Sequence, residues 1–190
     1  MYGIFANFDP PKSKQHHMAH TELLLTRHGE TEENKQDIMQ GHIPGRLSEK
    51  GIQQAQQLGE LLKDREIDAI VCSDLARSYD TAKIIGEVKG LTPRPTSLLR
   101  EIDWGKHTGG RLSSIDWKNL PEGCETLEQL SERAKAFILW IKQEYAGKCV
   151  LAVGHGAIDR AILAFLEGKS ATEMADMPIM KNTSFVCLNI

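Results

Sequence analysis

Three short apolar runs constrain this chain more than anything else in it: Leu23-Leu24-Leu25-Thr26, Ala69-Ile70-Val71-Cys72-Ser73 and Val150-Leu151-Ala152-Val153. None alternates apolar with polar residues, so each reads as a strand covered on both faces. Between them lie segments of helical period. Ser48 can cap a helix to about residue 63, with Ile52, Ala55, Leu58 and Leu62 on one face. A second helix is predicted from about Ala76 to Val88, closed by Gly90. A third runs from about Leu127 to Tyr145, where Thr126 and Gln129 make a capping box. A fourth follows Gly154-His155-Gly156 and ends near Leu166. Residues 96–99 read as a further strand and residues 184–188 as a last one, at an edge. Covered strands alternating with helices of ten or more residues predict an α/β fold. The expected form is a three-layer sandwich, with a mostly parallel central sheet and helices on both faces.

At 190 residues the chain is long enough for one domain with a real core, and no repeat or second domain is visible. Residues 1–20 stand apart. Pro10-Pro11-Lys12-Ser13-Lys14-Gln15 is polar and hostile to helix, and His16, His17 and His20 follow it. A flexible tail is expected there rather than a metal site, and Met18 could be the original start, which would make the preceding residues non-native. Residues 21–190 then form the single domain. The net charge of -3 offers no basic field to a nucleic-acid backbone, so any anion site needs a local cluster of cations. Cys72, Cys124, Cys149 and Cys187 show no CxxC spacing; three lie in strand-like runs, where buried, reduced thiols and a cytoplasmic setting are expected. No apolar run approaches the roughly 18 residues of a membrane span. Neither a nucleic-acid nor a membrane partner is expected, and nothing in the pattern specifies an oligomeric state.

Ligands of open α/β sheets bind beyond the carboxyl ends of the strands. Arg27-His28-Gly29 follows the first strand, Ser73-Asp74-Leu75-Ala76-Arg77 the second, Glu101 the third and His155 the fourth. Two histidines, two arginines and a glutamate thus meet at one sheet edge. Guanidinium groups match phosphate oxygens and repel a divalent cation, so the set points to a phosphoryl group rather than a metal. His28 becomes the candidate nucleophile, held neutral by Arg27, Arg77 and a cationic His155. Its second ring nitrogen should donate to a backbone carbonyl, with Gly29 in position to supply one. Arg27, Arg77 and His155 would hold the equatorial oxygens. Glu101 would protonate the leaving group, with its pKa raised by an apolar shell, and would then activate water. Taken singly, each of these residues reads equally well as core or solvated surface; the case is in their placement together.

Leu24-Leu25-Thr26-Arg27-His28-Gly29-Glu30-Thr31 with Asn34 resembles the signature of the histidine phosphatase superfamily, in its phosphoglycerate mutase-like branch. The likeness continues through Gln40-Gly41, Leu47-Ser48 with Gly51, Ser73–Arg77 with Thr81-Ala82, Leu99–Gly105, Glu125-Thr126 and Val153–Gly156. The resemblance implies a phosphorylated His28 and a proton-donating and -accepting Glu101. It implies a phosphate pocket of Arg27, Asn34, Arg77 and His155, with substrate contacts from Gln40, Gly41 and the Gly156 amide. It also implies a small phosphorylated metabolite as partner, and no metal or cofactor. Where many relatives carry an aromatic-Glu-Gly step, this chain has His107-Thr108-Gly109-Gly110. The segment between Glu101 and Glu125 is also short for the branch. A mutase must keep water from its phosphoenzyme, so a short cover favours hydrolysis. A phosphatase is therefore expected, with α-ribazole phosphate, a sugar phosphate or phosphoglycerate as candidate substrates. A phosphoglycerate mutase-type phosphotransferase is the alternative, and a binding protein on a catalytically dead scaffold is a third reading. His42, His107 and Arg111 are expected to be solvated loop residues.

Overall fold

A computed structural model describes residues 20–190, so the expected tail lies outside the described residues except for His20. The sheet has five strands: β1 (Glu22–Arg27), β2 (Ala69–Ser73), β3 (Arg94–Thr96), β4 (Cys149–Gly154) and β5 (Phe185–Asn189). Their spatial order is β3-β2-β4-β1-β5. All neighbours run parallel except β5, which pairs antiparallel with β1 at the edge. The helices are α1 (Glu32–Lys35), α2 (Glu49–Leu61), α3 (Ala76–Lys89), α4 (Leu127–Glu144), α5 (Gly156–Leu166) and α6 (Ala171–Met174).

The continuous apolar runs behave as their patterns predict. Leu23, Leu24 and Leu25 have no exposed surface, because successive side chains enter opposite cores. Leu23, Leu25, Val150 and Ala152 face the core under α4 and α5, whereas Leu24, Ile70, Leu151 and Val153 face the core under α2 and α3. Two helical layers therefore sandwich the sheet.

Three local expectations need correction. The third strand in sequence is Arg94–Thr96, and residues 97–99 are a 3-10 turn. Thr96 Oγ1 accepts the Leu98 N–H at 3.2 Å and ends the strand, while the full burial of Leu99 mimics a strand signal. On α2, Ile52 is 39% exposed, because the buried face carries Gly51, Ala55, Leu58 and Gly59 instead. Among the cysteines of the strand runs, Cys72 is buried, Cys149 half-buried and Cys187 exposed on the edge strand; all four thiols are free. Between β1 and α2 lies the short helix α1, whose capping box pairs Thr31 with Asn34.

Gly51 has a further duty. A Cβ there would overlap the Glu30 carbonyl oxygen, and one at Gly29 would approach the Gly51 carbonyl oxygen to 2.5 Å. The turn after β1 and the first turn of α2 therefore touch backbone to backbone. Gly51→Ala should cost about 1–3 kcal/mol by overpacking this contact, and so lower the melting temperature by several degrees. Calorimetry of the variant checks this; an unchanged melting temperature would show that the contact has slack.

Candidate active site

The pairing of β1 with β4 sets Arg27 opposite Gly154, and the His28 N–H extends the ladder to the Gly154 carbonyl at 3.1 Å. The residues that leave these two strands are consequently neighbours. The rings of His28 and His155 lie 5.0 Å apart at 60°, both almost wholly buried. Arg77 arrives from the first turn of α3, beyond the adjacent strand β2. Glu101 arrives from the segment after the 97–99 turn. Arg27, His28, Asn34, Gln40, Arg77, Glu101 and Gly156 line one cleft of about 520 Å³.

His28 Nδ1 lies 2.7 Å from the Gly29 carbonyl oxygen. A carbonyl can only accept, so Nδ1 carries the proton and Nε2 keeps its lone pair. Burial, then Arg77 and Arg27, hold the His28 pKa well below the usual imidazole value. The ring is neutral, with a fixed tautomer and an unprotonated Nε2.

His155 departs from expectation. Burial first, then Arg77, His28 and Arg27, push its pKa well below the ordinary value, so it is neutral rather than cationic. Neither of its ring nitrogens has a hydrogen-bond partner among the described residues. A neutral imidazole still donates one hydrogen bond to a phosphate oxygen. The fixed positive charge belongs to the arginines. Arg27 Nη1 donates to the Met180 carbonyl at 3.0 Å. Arg77 donates through Nη2 to the Gly41 carbonyl at 2.8 Å and through Nη1 to the Ile43 carbonyl at 2.7 Å. Burial lowers the Arg77 pKa to about 10, which leaves it charged at neutral pH. The Gly41 carbonyl anchors Arg77, and neither Gly41 nor the fully buried His155 is among the residues that line the cleft. Gln40 does line it, and its Oε1 is buried without a partner among the described residues.

Glu101 sits in a polar cradle rather than the expected apolar shell. Its Oε1 accepts the N–H groups of Ile102 and Ala157, each at 3.0 Å, the latter at the N-terminus of α5. Oε2 has no such bond among the described residues, and Glu101 lines the cleft. Beneath it, Arg133 of α4 donates to the carbonyls of Leu98, Arg100 and Glu101 and forms an ion pair with Glu125 at 2.6 Å. The segment carrying Glu101 is thus clamped from below.

Three participants escape sequence reasoning. Arg133 is an unremarkable helix cation until the fold places it under Glu101. Asn182 donates to the His28 carbonyl at 2.8 Å from a segment without periodicity. Asp159, fully buried in the first turn of α5, has neither carboxyl oxygen partnered among the described residues; burial, then Glu101, raises its pKa well above the carboxylate range. No local signal marks these three. His42 Nε2 contacts the Glu101 carbonyl at 2.9 Å from outside the cleft, His107 Nε2 contacts the Glu122 carbonyl at 3.2 Å, and Arg111 is exposed.

The model of the histidine phosphatase superfamily (branch 1) matches residues 23–190. The uncharacterized phosphatase PhoE of Bacillus subtilis is 36% identical over 151 residues, covering 78% of each chain. The adenosylcobalamin/alpha-ribazole phosphatase of Escherichia coli is 30% identical over 166 residues, covering 80% of this chain and 82% of its own. Among solved structures, Bacillus stearothermophilus YhfR superposes with a TM-score of 0.82 at 29% identity, over 90% of this chain and 91% of that one.

The buried neutral histidines make stability depend on pH. Below about 6.5, the ordinary imidazole value, His28 and His155 each take up a proton on unfolding. Stability therefore falls as pH falls, by about 1.4 kcal/mol per pH unit for each. Asp159 releases a proton on unfolding above the ordinary carboxylate value and opposes one of them. Urea unfolding should show a net loss of about 1.4 kcal/mol per unit between pH 6 and 5. Replacing His155 by Asn should flatten that slope; an unaltered slope would mean that His155 is charged in the folded protein.

Proposed function

The chain belongs to the histidine phosphatase superfamily, branch 1, and on that footing we propose that it hydrolyses a small phosphomonoester through a phosphohistidine on His28. The observation that carries this reading is the His28 ring itself. Its Nδ1 is committed to the Gly29 carbonyl, its Nε2 is free, and two buried guanidinium groups share its cleft.

In the first half-reaction His28 Nε2 attacks phosphorus and the bond from phosphorus to the ester oxygen breaks. Glu101 acts as the general acid, and a proton passes from its carboxyl group to the departing alkoxide. Arg27 and Arg77 balance charge on the equatorial oxygens, and His155 donates a hydrogen bond to them. In the second half, Glu101 removes a proton from water, whose oxygen attacks phosphorus. The P–N bond breaks, inorganic phosphate leaves, and His28 and Glu101 regain their starting protonation.

Hydrolysis is favoured over transfer to a second hydroxyl by the cover of residues 105–123. It consists of 3-10 turns and loops fastened to the 37–39 loop through Met39 N–H to the Gly110 carbonyl, Leu112 N–H to the Asp37 carbonyl, and a side-chain bond from Ser113 to Asp37. It carries no helix long enough to close over a phosphoenzyme. Relatives with phosphatase in their names, including one acting on alpha-ribazole phosphate, support the same side. The four free thiols suit a reducing, cytoplasmic compartment, and no described helix is long and apolar enough to cross a membrane.

His28→Ala should abolish phosphate release from p-nitrophenyl phosphate, and the wild type should yield an acid-labile, base-stable phosphate on His28. Glu101→Gln should lower kcat by about 10²–10⁴-fold on an alkyl phosphate. The loss should be smaller on p-nitrophenyl phosphate, whose leaving group needs less help from an acid. Equal rates for wild type and His28→Ala would remove the nucleophile assignment. Interconversion of phosphoglycerates stimulated by a bisphosphate would instead mark a mutase.

A further inference from the structure

The part of the cleft beyond the phosphate end has a chemical character that the catalytic residues do not explain. Ile38, Met39, Leu112, Trp117, Ile179 and Met180 line the same cleft, with buried Trp104 and with polar side chains such as Gln54 and Asn182 among them. The cover contributes only apolar groups to it. Its cations lie elsewhere: Lys106 and Arg111 line a separate surface depression, and Lys118 pairs with Asp176 at 2.8 Å. On the opposite lip Lys50 is taken by Glu30 at 3.0 Å, which leaves Lys181 as the cleft's one lysine without an ion pair among the described residues.

Trp117 is also held in place. Its ring meets Trp104 edge to face at 5.4 Å, and the Arg160 guanidinium lies 3.9 Å from its ring centroid. Arg160 is 2% exposed; its Nη1 donates to the Met177 carbonyl at 3.4 Å, and its Nε and Nη2 have no hydrogen-bond partner among the described residues. A buried cation spent on an aromatic face fixes that indole strongly. Since Arg160 belongs to α5, whose first residue lines the phosphate end, the indole is referenced to the same helix as the phosphate pocket.

Resting on the phosphatase reading above, we propose that the preferred substrates are phosphomonoesters whose alcohol carries a flat apolar or aromatic group, with Trp117 as the specificity-determining wall. A second acidic group on the substrate would have to shed water against apolar side chains and would find little compensating charge. A flat apolar group there gains from leaving water.

The test compares primary alcohols of similar acidity, so that leaving-group reactivity does not decide the outcome. Phosphate release is measured from benzyl phosphate, ethyl phosphate and 3-phosphoglycerate with the wild type, Trp117→Ala and Lys181→Ala. The wild type should favour benzyl phosphate over each of the others by about tenfold or more in kcat/KM. Trp117→Ala should bring the benzyl-to-ethyl ratio towards one. Lys181→Ala should leave that ratio in place. A wild type that prefers 3-phosphoglycerate, or a benzyl preference untouched in a folded Trp117→Ala, overturns this inference and leaves the phosphatase reading standing. Release from none of the three esters, nor from p-nitrophenyl phosphate, overturns both.

Discussion

The site depends first on the pairing of β1 with β4. Parallel neighbours end at the same edge, so a residue leaving each strand in register must meet its counterpart. The opposition of Arg27 and Gly154 brings His28 and His155 to a ring separation of 5.0 Å. A shift of one residue along either strand would send every side chain to the opposite face. The leucines and valines of these strands belong to two different cores, so such a slip would exchange side chains between the cores and spoil the packing of both. The hydrophobic pattern that fixes the fold therefore fixes the spacing of the two histidines as well.

Charge is organised around the same edge. Arg27 and Arg77 are buried cations, and burying them is costly without compensation. Part of that compensation is structural: backbone carbonyls of Gly41, Ile43 and Met180 accept from them. Glu101 supplies the one carboxylate close to both at the cleft, while Asp159 stays protonated behind it. With both histidines neutral, the pocket keeps a net positive charge suited to a phosphate dianion.

Much of this was legible in sequence because apolar runs and capping residues act locally. The strands of Leu23, Ile70 and Val150, the capping box of Thr126 and the positions of His28 and His155 after their strands all follow from short-range patterns. What could not be read depends on contacts between distant segments. Ile52 looked like core, but a backbone contact at Gly51 sets the buried face of α2. Gly41 looked like a substrate contact, whereas its carbonyl anchors Arg77. Arg133 and Asn182 carry no local mark, since their partners lie 32 and 154 residues away. The charge of His155 follows from how completely the surrounding layers bury it, which spacing does not record.

The contact between His28 Nδ1 and the Gly29 carbonyl separates two kinds of information. Which nitrogen carries the proton is decided within a dipeptide, by a bond between a side chain and its own neighbour's backbone. Where that ring sits is decided by a sheet whose strands are more than a hundred residues apart in the chain. Damage to the scaffold would therefore move the ring before it changed its tautomer. A partly loosened protein would keep a correctly prepared imidazole pointed at the wrong place, and its failure would be one of aim.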